Sequence, residues 1–461
     1  MDRVYQLPGW DRELPSKMYA GFLDGGSKVE QGQEFHMKYH YVFMESENDP
    51  ENDPVLLWTN GGPGSSSLFG FTTEVGPFQL SSDSMKTESF KRTGVPTLFR
   101  NNYTWTKRAN LLIMSGPAPV SFSYCYPAGQ SGSGADCGYW NDTTTARANF
   151  HFLESFFKRF SRFQDNELYL SGESYAGVYI LTLVREILNH KDSFTRKAIR
   201  GMAVGDGCMG NKLACHDEGT EVPPMFNRAK ADFLCGHGQG SARLCRKIPY
   251  ACPHNATHES AHCKLLVAEL LAQVTEGYSH YDLYDECYWK DEDNMDTKPY
   301  PCGGDEALKA WVDRPEVRDA LHVAQDNLFV NGDGTGLRYH QSEENVTQIY
   351  IDLLDTPNFR TLVYNGDVDA SENGFVQQYW IEDLREAGFF EWEVDQQTSE
   401  WKAWTLDGKK KVVGYVSRYK GDFSFLSIRG AGHMVPLTKP KAALEMITRF
   451  LKNERWASYN P

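Results

Sequence analysis

Strand-like and helical patterns of hydrophobic residues alternate along most of the chain. Short apolar runs of strand length lie at 55–58, 110–114, 168–171, 199–204, 361–364 and 423–428. Between them lie stretches with helical spacing, including a phenylalanine stripe within 143–163 and a closing helix at 441–451. Alternating strands and helices predict a mostly parallel sheet covered by helices on both faces.

Two segments depart from this alternation. Near the N-terminus, the strand-like runs M-Y-A-G-F-L and H-M-K-Y-H-Y-V-F-M are split by Asp24-Gly25-Gly26, which is a hairpin signal. From Cys208 to Cys302 the alternation of strands and helices is lost, and the sequence is rich in cysteines, glycines and polar turns. It has one clear helical stretch at 264–273. We therefore divide the chain into a core in two parts, 1–207 and 304–461, and an inserted cap, 208–303.

Composition narrows the class of partner. The 461 residues include 62 acidic and 47 basic side chains, which gives a net charge of -15. This balance argues against nucleic acid or an anionic membrane as the main partner, and it suits a soluble protein in mildly acidic surroundings. No apolar run approaches the roughly 18 residues that span a bilayer.

Cysteine usage indicates an oxidising compartment. Eight of the 10 cysteines lie between Cys208 and Cys302, a density typical of a disulfide-stapled segment. Four N-x-[ST] sequons, at Asn102, Asn141, Asn255 and Asn345, predict glycosylation. Both signals indicate the secretory pathway, with a lysosome, a vacuole or the extracellular space as destination. Because the sequence starts M-D-R-V-Y without an apolar leader, we expect a signal peptide to have been removed.

The stretch E-L-Y-L-S-G-E-S-Y-A-G, residues 167–177, is the first candidate for catalysis. A strand runs into a corner of small residues with Ser174 at the bend, and a helical pattern follows. This is the arrangement of a nucleophile elbow, in which small neighbours let the helix pack against its own strand. Taken alone, the same pattern also fits an ordinary connection from strand to helix.

Two more polar groups follow predicted strands, an aspartate in N-G-D-V-D and His433 in G-A-G-H-M-V-P. The order serine, aspartate, histidine is that of the α/β-hydrolases. A serine hydroxyl needs an imidazole to take its proton and a carboxylate to orient that imidazole. Strand alternation puts Asp367 and Asp369 on the same side, so periodicity does not choose between them.

The chain resembles the serine carboxypeptidases over nearly its whole length. The shared motifs are L-P-G-W (7–10), N-G-G-P-G (60–64), E-V-G-P (74–77), G-E-S-Y-A-G (172–177), R-P-E-V-R-D-A-L-H-V (314–323), N-G-D-V-D (365–369) and G-A-G-H-M-V-P (430–436). The resemblance implies an α/β-hydrolase fold and an enzyme that removes C-terminal residues from peptides and proteins at acidic pH through an acyl-enzyme. It implies no cofactor and no metal.

The resemblance also implies roles for the core residues. Ser174 is the expected nucleophile, His433 the general base and then acid, and Asp369 the residue that orients it. The backbone N–H groups of Gly62 and Tyr175 are the expected oxyanion hole, where losing a donor typically costs about 3 kcal/mol in the transition state.

A second set is implied for binding the substrate's C-terminal carboxylate, namely Asn60, the Gly61 N–H and Glu173, with Glu74 behind Glu173. A glutamate can bind an anion if it is protonated. Two adjacent carboxyls cannot both ionise cheaply, so the pair is expected to hold a proton.

The cysteine and glycine positions depart from the family pattern in places. Ser65 stands where a cysteine is usual, which leaves Cys302 to find another partner, for which we name Cys287. Gly205-Asp206-Gly207 replaces G-N-G. Cys125 and Cys137 lie in one loop and are candidates to pair with each other.

The substrate pocket is predicted to include Ser371, Glu372 and Met434. Two interpretations of Glu372 stay open: it favours a basic side chain before the scissile bond, or it faces solvent. The cluster of His254, His258 and His262 can be drawn as a zinc site, but the sequon inside it and the surrounding cysteines argue against a metal.

Two other functions stay open beside the carboxypeptidase. One is an acyltransferase on the same scaffold, in which an alcohol captures the acyl-enzyme. The other is a protective or scaffolding partner protein without catalysis. A homodimer is left open as the assembly.

Overall fold

The computed structural model describes residues 2–127, 137–213, 224–253, 260–274, 279–284, 304–332, 337–393, 401–408 and 410–459. All statements below concern these residues. Among the helices found within them, none combines the length and the apolar character needed to cross a bilayer.

The strands are, in chain order, β1 (Arg3–Val4), β2 (Met18–Glu30), β3 (Gln33–Met44), β4 (Val55–Thr59), β5 (Phe78–Gln79), β6 (Phe99–Arg100), β7 (Asn110–Met114), β8 (Tyr124–Tyr126), β9 (Tyr139–Asn141), β10 (Leu168–Glu173), β11 (Ile199–Gly205), β12 (Arg338–His340), β13 (Arg360–Gly366), β14 (Lys402–Thr405), β15 (Val412–Tyr419) and β16 (Phe423–Ile428).

The α-helices are α1 (Ser67–Thr73), α2 (Glu88–Thr93), α3 (Asp142–Arg159), α4 (Ala176–Asn189), α5 (Phe194–Ala198), α6 (Pro224–Gly236), α7 (Ala242–Ala251), α8 (Ala261–Val274), α9 (Gly304–Val312), α10 (Pro315–Ala320), α11 (Thr347–Leu354), α12 (Gly374–Glu386), α13 (Val435–Thr438) and α14 (Pro440–Lys452).

One large mixed sheet organises the molecule. Its order is β1-β2-β3-β7-β4-β10-β11-β13-β16-β15-β14, with β8 paired to β3. The central strands β7, β4, β10, β11, β13 and β16 run parallel, and the strands added on either side are antiparallel. The prediction of a mostly parallel sheet in an α/β-hydrolase fold is confirmed for the centre. The carboxyl ends of β4, β10, β11, β13 and β16 therefore open on one edge of the sheet.

The N-terminal hairpin forms, but its turn is not at the predicted place. Strands β2 and β3 pair antiparallel and the turn lies at Gln31 and Gly32, whereas 24–26 is an irregularity within β2. At this irregularity a Cβ on Gly26 would lie 2.6 Å from the His151 ring. Gly26 therefore serves a close contact with α3 inside a strand, which a turn signal in sequence does not distinguish.

The segment between β11 and α9 contains more helix than its sequence indicates. The prediction of a single helix there was wrong, since α6, α7 and α8 are all present in its described part. Disulfides Cys235–Cys245 and Cys252–Cys263 join these helices, and their buried side chains form a separate apolar cluster with Val368 and Ala370. Pro249 lies inside α7, and a proline within a sequence stretch argues against a helix there, which explains why α7 was not predicted.

The predicted pairing of Cys125 with Cys137 is confirmed. Cys208 is also disulfide-bonded. Cys287 and Cys302 lie outside the described residues, so their pairing stays a prediction.

The phenylalanine stripe packs α3 against the sheet, as its helical spacing predicts. Phe156 is fully buried, with its ring centroid 4.9 Å from that of Phe43 on β3 and 5.1 Å from that of Phe160. Burial of such a ring supplies both transfer free energy and edge-to-face contacts. The stripe belongs to the core and holds α3 next to α4, the helix that follows Ser174.

We predict that Phe156→Ala lowers the free energy of unfolding by about 3–5 kcal/mol, because it leaves a cavity in a packed aromatic cluster. Phe194→Ala is the matched control, since Phe194 is 41% exposed and its truncation leaves no interior cavity. Urea unfolding of both variants measures the difference, and equal losses for the two would contradict the assignment.

Candidate active site

Ser174 lies at a sharp bend between β10 and α4. Its φ of 61° is in the left-handed region, which is unusual for a residue other than glycine and typical of a nucleophile elbow. Backbone bonds fix the bend from both sides: Ser174 N–H donates to Gly205 (3.0 Å), and Cys208 N–H donates to the Ser174 carbonyl (3.0 Å). The strain is therefore held by the turn that follows β11.

Close backbone approach explains the glycines around the elbow. A Cβ on Gly172 would lie 2.4 Å from the Thr59 carbonyl oxygen, and one on Gly61 would lie 2.4 Å from Tyr175 N. Gly61 and Gly62 thus run directly beside the start of α4. The backbone after β4 and the backbone after Ser174 are brought together, as an oxyanion site requires.

His433 and Asp369 form a buried pair. His433 Nδ1 lies 2.7 Å from Asp369 Oδ2. The residues His433 and Asp369 are 5% and 0% exposed. Asp369 also accepts N–H bonds from Ser371 (2.8 Å, Oδ1) and Glu372 (3.2 Å, Oδ2). These donors fix the carboxylate so that it orients the imidazole.

The structure distinguishes the two aspartates that strand alternation left equivalent. Asp367 accepts a bond from the Gly430 N–H and so stabilises the loop before His433, while Asp369 contacts the imidazole itself. Segment 279–284 braces both loops: the Tyr281 carbonyl accepts from His433 N–H (2.6 Å), and the His280 carbonyl accepts from Ala370 N–H (3.0 Å).

Asn60, Glu74 and Glu173 form a buried cluster next to Ser174. The Asn60 amide donates to Glu173 Oε1 (3.0 Å) and to Glu74 Oε1 (3.2 Å), and Trp58 Nε1 orients that amide by donating to its oxygen (2.8 Å). Within the described chain, Oε2 of each glutamate lacks a hydrogen-bond donor. The two carboxyls therefore need a proton between them.

The electrostatics of this cluster favour the protonated form. Burial raises the pKa of Glu74 to about 7. Burial, followed by the charges of Glu74 and Asp369, raises the pKa of Glu173 well above its ordinary value. Below neutral pH the pair thus keeps at least one proton and can donate a hydrogen bond.

A cavity of about 330 Å³ opens in front of Ser174. It is lined by Asn60, Gly61, Gly62, Ser65, Phe69, Glu173, Ser174, Tyr281, Asp305, Asn331, Gly332, His433 and Met434. The predicted nucleophile and base, most of the predicted carboxylate-binding set and Met434 therefore share one space. Glu74 lies behind it, fully buried.

Comparison with known proteins identifies the family of this chain. Residues 8–453 match the serine carboxypeptidase family. The chain belongs to the serine carboxypeptidase family. It is 30% identical to the lysosomal protective protein of Mus musculus, over 98% of this chain and 94% of that protein. It is also 30% identical to carboxypeptidase Y homolog A of Arthroderma gypseum, over 95% of this chain and 74% of that protein.

A solved structure shares the fold. The prohormone-processing carboxypeptidase Kex1(delta)p of Saccharomyces cerevisiae superposes with a TM-score of 0.71 at 21% identity, covering 98% of this chain and 95% of that one. As a family member, the chain is a serine-type carboxypeptidase, a hydrolase that acts on peptides.

Two of the predicted pocket residues of this carboxypeptidase lie away from the cavity lining. Glu372 is buried, and Lys230 on α6 acts on its pKa, as Asp369 does. Burial raises the pKa of Glu372 and lowers that of Lys230. Ser371 is half-buried and caps Asp369 through its backbone. A role for these two side chains in specificity stays a prediction.

Sequence reasoning missed three residues of the site. Asp305 lies in the first turn of α9, where an acidic residue is common, and Tyr281 lies in a segment without periodicity. Asp206 was visible only as a departure from G-N-G. Each reaches the site through tertiary packing, which local sequence does not encode.

The remaining sequence predictions lie on the surface or outside the described residues. Asn102 and Asn345 are exposed and Asn141 is half-buried at the start of α3, while Asn255 is outside the described residues. Of the histidine cluster only His262 is described.

We predict that Gly61→Ala lowers kcat/KM by about 100-fold, since the new Cβ displaces the backbone beside Tyr175 by a fraction of an ångström or more. The control is Gly236→Ala, where the nearest atom to a new Cβ is 3.8 Å away. Steady-state kinetics with a blocked dipeptide measures both. Full activity of Gly61→Ala would contradict the close approach.

Proposed function

We propose that Ser174, His433 and Asp369 form the catalytic triad of this carboxypeptidase, and that Glu173 and Asn60 bind the C-terminal carboxylate of its substrate. The observation that carries the proposal is the buried cluster of Asn60, Glu74 and Glu173 in the cavity wall beside Ser174. A general hydrolase has no need of a protonated acid pair at this position.

The proposed reaction follows from these roles. Ser174 Oγ attacks the last peptide carbonyl while His433 takes its proton, and Asp369 stabilises the imidazolium that forms. The N–H groups of Gly62 and Tyr175 hold the oxyanion. The proton then passes from His433 to the leaving amine, which departs as the free C-terminal residue. Water, activated by His433, hydrolyses the acyl-enzyme and restores Ser174.

The carboxylate site accounts for cleavage at chain ends only. A substrate carboxylate entering a cavity walled by two ionised glutamates would be repelled. With one proton on the pair, Glu173 instead donates to the substrate, next to the Asn60 amide and the Gly61 N–H. Because burial raises the pKa values of both Glu74 and Glu173, the pair holds a proton at acidic pH and loses its last proton only when the pH rises through the raised pKa of Glu173.

We predict that wild-type kcat/KM for peptides is highest at acidic pH and falls as the pH rises through the raised pKa of Glu173, by about tenfold per unit once that essential proton is lost. In Glu173→Gln, whose amide donates at every pH, this fall is reduced. A blocked amino-acid ester without a free carboxylate is the control substrate, because its hydrolysis does not use Glu173. An unchanged pH profile for peptides in Glu173→Gln would contradict the assignment.

The cavity also indicates which C-terminal residues bind well. Asp305 lies in the same wall as Phe69 and Asn331. Besides burial, two residues act on the pKa of Asp305: Glu306 through its charge and Asn331 through a hydrogen bond. Neither residue is a cation. Burial raises the pKa of Asp305 to about 6. Asp305 is therefore neutral at pH 5 and an uncompensated anion near pH 7, where it attracts a basic side chain.

We predict that the preference for peptides ending in Arg over peptides ending in Leu rises by up to about fivefold between pH 5 and pH 7, the size of a partly exposed ion pair. Asp305→Asn abolishes this rise. Asp313→Asn is the matched control, because Asp313 is an exposed acid just after the same helix and is not one of the groups that act on the pKa of Asp305. The ratio of kcat/KM values reports the preference, and an equal rise in Asp305→Asn would exclude Asp305 as its source.

For the cellular location we propose the secretory pathway. Three disulfides among the described residues support an oxidising compartment, and one relative is named as a lysosomal protein. The acidic optimum proposed above fits a lysosome or vacuole.

A further inference from the structure

A second buried acid, Asp206, lies beside the catalytic pair. It follows β11 directly, and its φ of 44° is in the left-handed region. One oxygen of Asp206, one oxygen of Asp369 and one ring nitrogen of His433 all lie within 4.8 Å of one another. Asp206 is 0% exposed, so solvent does not screen it.

The two oxygens of Asp206 have different surroundings. Oδ1 accepts from the Asn365 amide (2.6 Å) and from Gly366 N–H (2.9 Å). Oδ2 is buried with no donor among the residues that the structure describes. An ionised Asp206 would thus hold an unsatisfied negative charge against a carboxylate that must itself stay ionised to orient His433.

We propose that Asp206 is a positioning residue that works as a neutral carboxylic acid and donates a hydrogen bond from Oδ2 to the Asp369 carboxylate. This inference rests on the proposed triad. The proton stays on Asp206, and the bond keeps Asp369 facing His433 Nδ1 without adding a charge.

The groups around Asp206 favour the neutral form. The titratable groups next to Asp206 are Asp369, Glu173, Tyr364 and His433. Lys230 acts on Asp369. Burial, then the charge of Asp369, raises the pKa of Asp206 well above its ordinary value. An acid at this position donates to Asp369 only while it is protonated.

The test compares Asp206→Asn, which keeps a neutral donor, with Asp206→Gly, which removes the donor without straining a positive φ. The substrate is a blocked amino-acid ester, so that Glu173 and Glu74 do not affect the profile. Asp367→Asn is the matched control, an acid-to-amide change in the neighbouring loop that leaves an oxygen to accept from Gly430. Active sites are counted by titration with a fluorophosphonate, which removes misfolded protein from the comparison.

We expect Asp206→Asn to keep kcat within about threefold of wild type at pH 5, with the acidic limb of its pH profile unmoved. Asp206→Gly is expected to lose at least tenfold in kcat with KM nearly unchanged. If Asp206 were an anion, its replacement by asparagine would remove a charge close to His433 and shift the acidic limb down by about one pH unit or more. That shift, or equal losses in the two variants, would overturn the proposal. Ser174→Ala separates the two levels, because turnover close to the wild-type level there would refute the triad itself and leave Asp206 without a role.

Discussion

Burial of acids with too few cations is the constraint on which this site depends. Glu74, Glu173, Asp206 and Asp369 lie at the carboxyl ends of adjacent strands or behind them, and all are almost inaccessible to water. Among the described residues, His433 pairs with Asp369, and Lys230 also acts on Asp369, so Asp369 has the partners that favour its ionised form. The other acids must be neutral or share protons, since desolvated negative charges close together are costly. The protonation pattern thus assigns one carboxylate to orient the base and leaves protonated acids to donate hydrogen bonds.

The parallel sheet creates this arrangement. Because β4, β10, β11 and β13 are in parallel register, the residues after their last hydrogen-bonded positions converge on one edge. Glycines at 61 and 172 remove the side chains that would keep the backbones apart. The same close packing that permits an oxyanion site also excludes water from the acids behind it. Geometry and protonation therefore have a common origin in the strand order.

The hydrophobic pattern predicted the elements that depend on local interactions, namely the buried strands and the elbow. β7 and β16 were predicted at the bounds that the structure shows, because buried parallel strands are nearly continuous apolar runs. The elbow and the order of Ser174, Asp369 and His433 were also readable, since each follows such a strand. Strands β14 and β15 were not predicted, because several of their residues are exposed or half-buried and the strands therefore have a weaker apolar signal.

Residues brought in by packing alone escaped sequence analysis. Asp305 reaches the cavity because α9 packs near α1, where a Cβ on Gly304 would lie 3.7 Å from both Phe69 and Thr73. Glu372, in contrast, follows Asp369 in sequence and was predicted to line the pocket, but it is buried and is not among the residues that line the cavity in front of Ser174, so its role in the pocket stays a prediction. Distance along the chain is a poor guide at such a loop, because one residue of turn reverses the direction of a side chain.

Neutron diffraction from crystals of the exchanged protein at pH 5 would test the proton distribution most directly. The proposed proton distribution predicts deuterium on Oδ2 of Asp206 and on at least one carboxyl of Glu74 and Glu173, and none on Asp369. Bare oxygens on Asp206 and on both glutamates would contradict it.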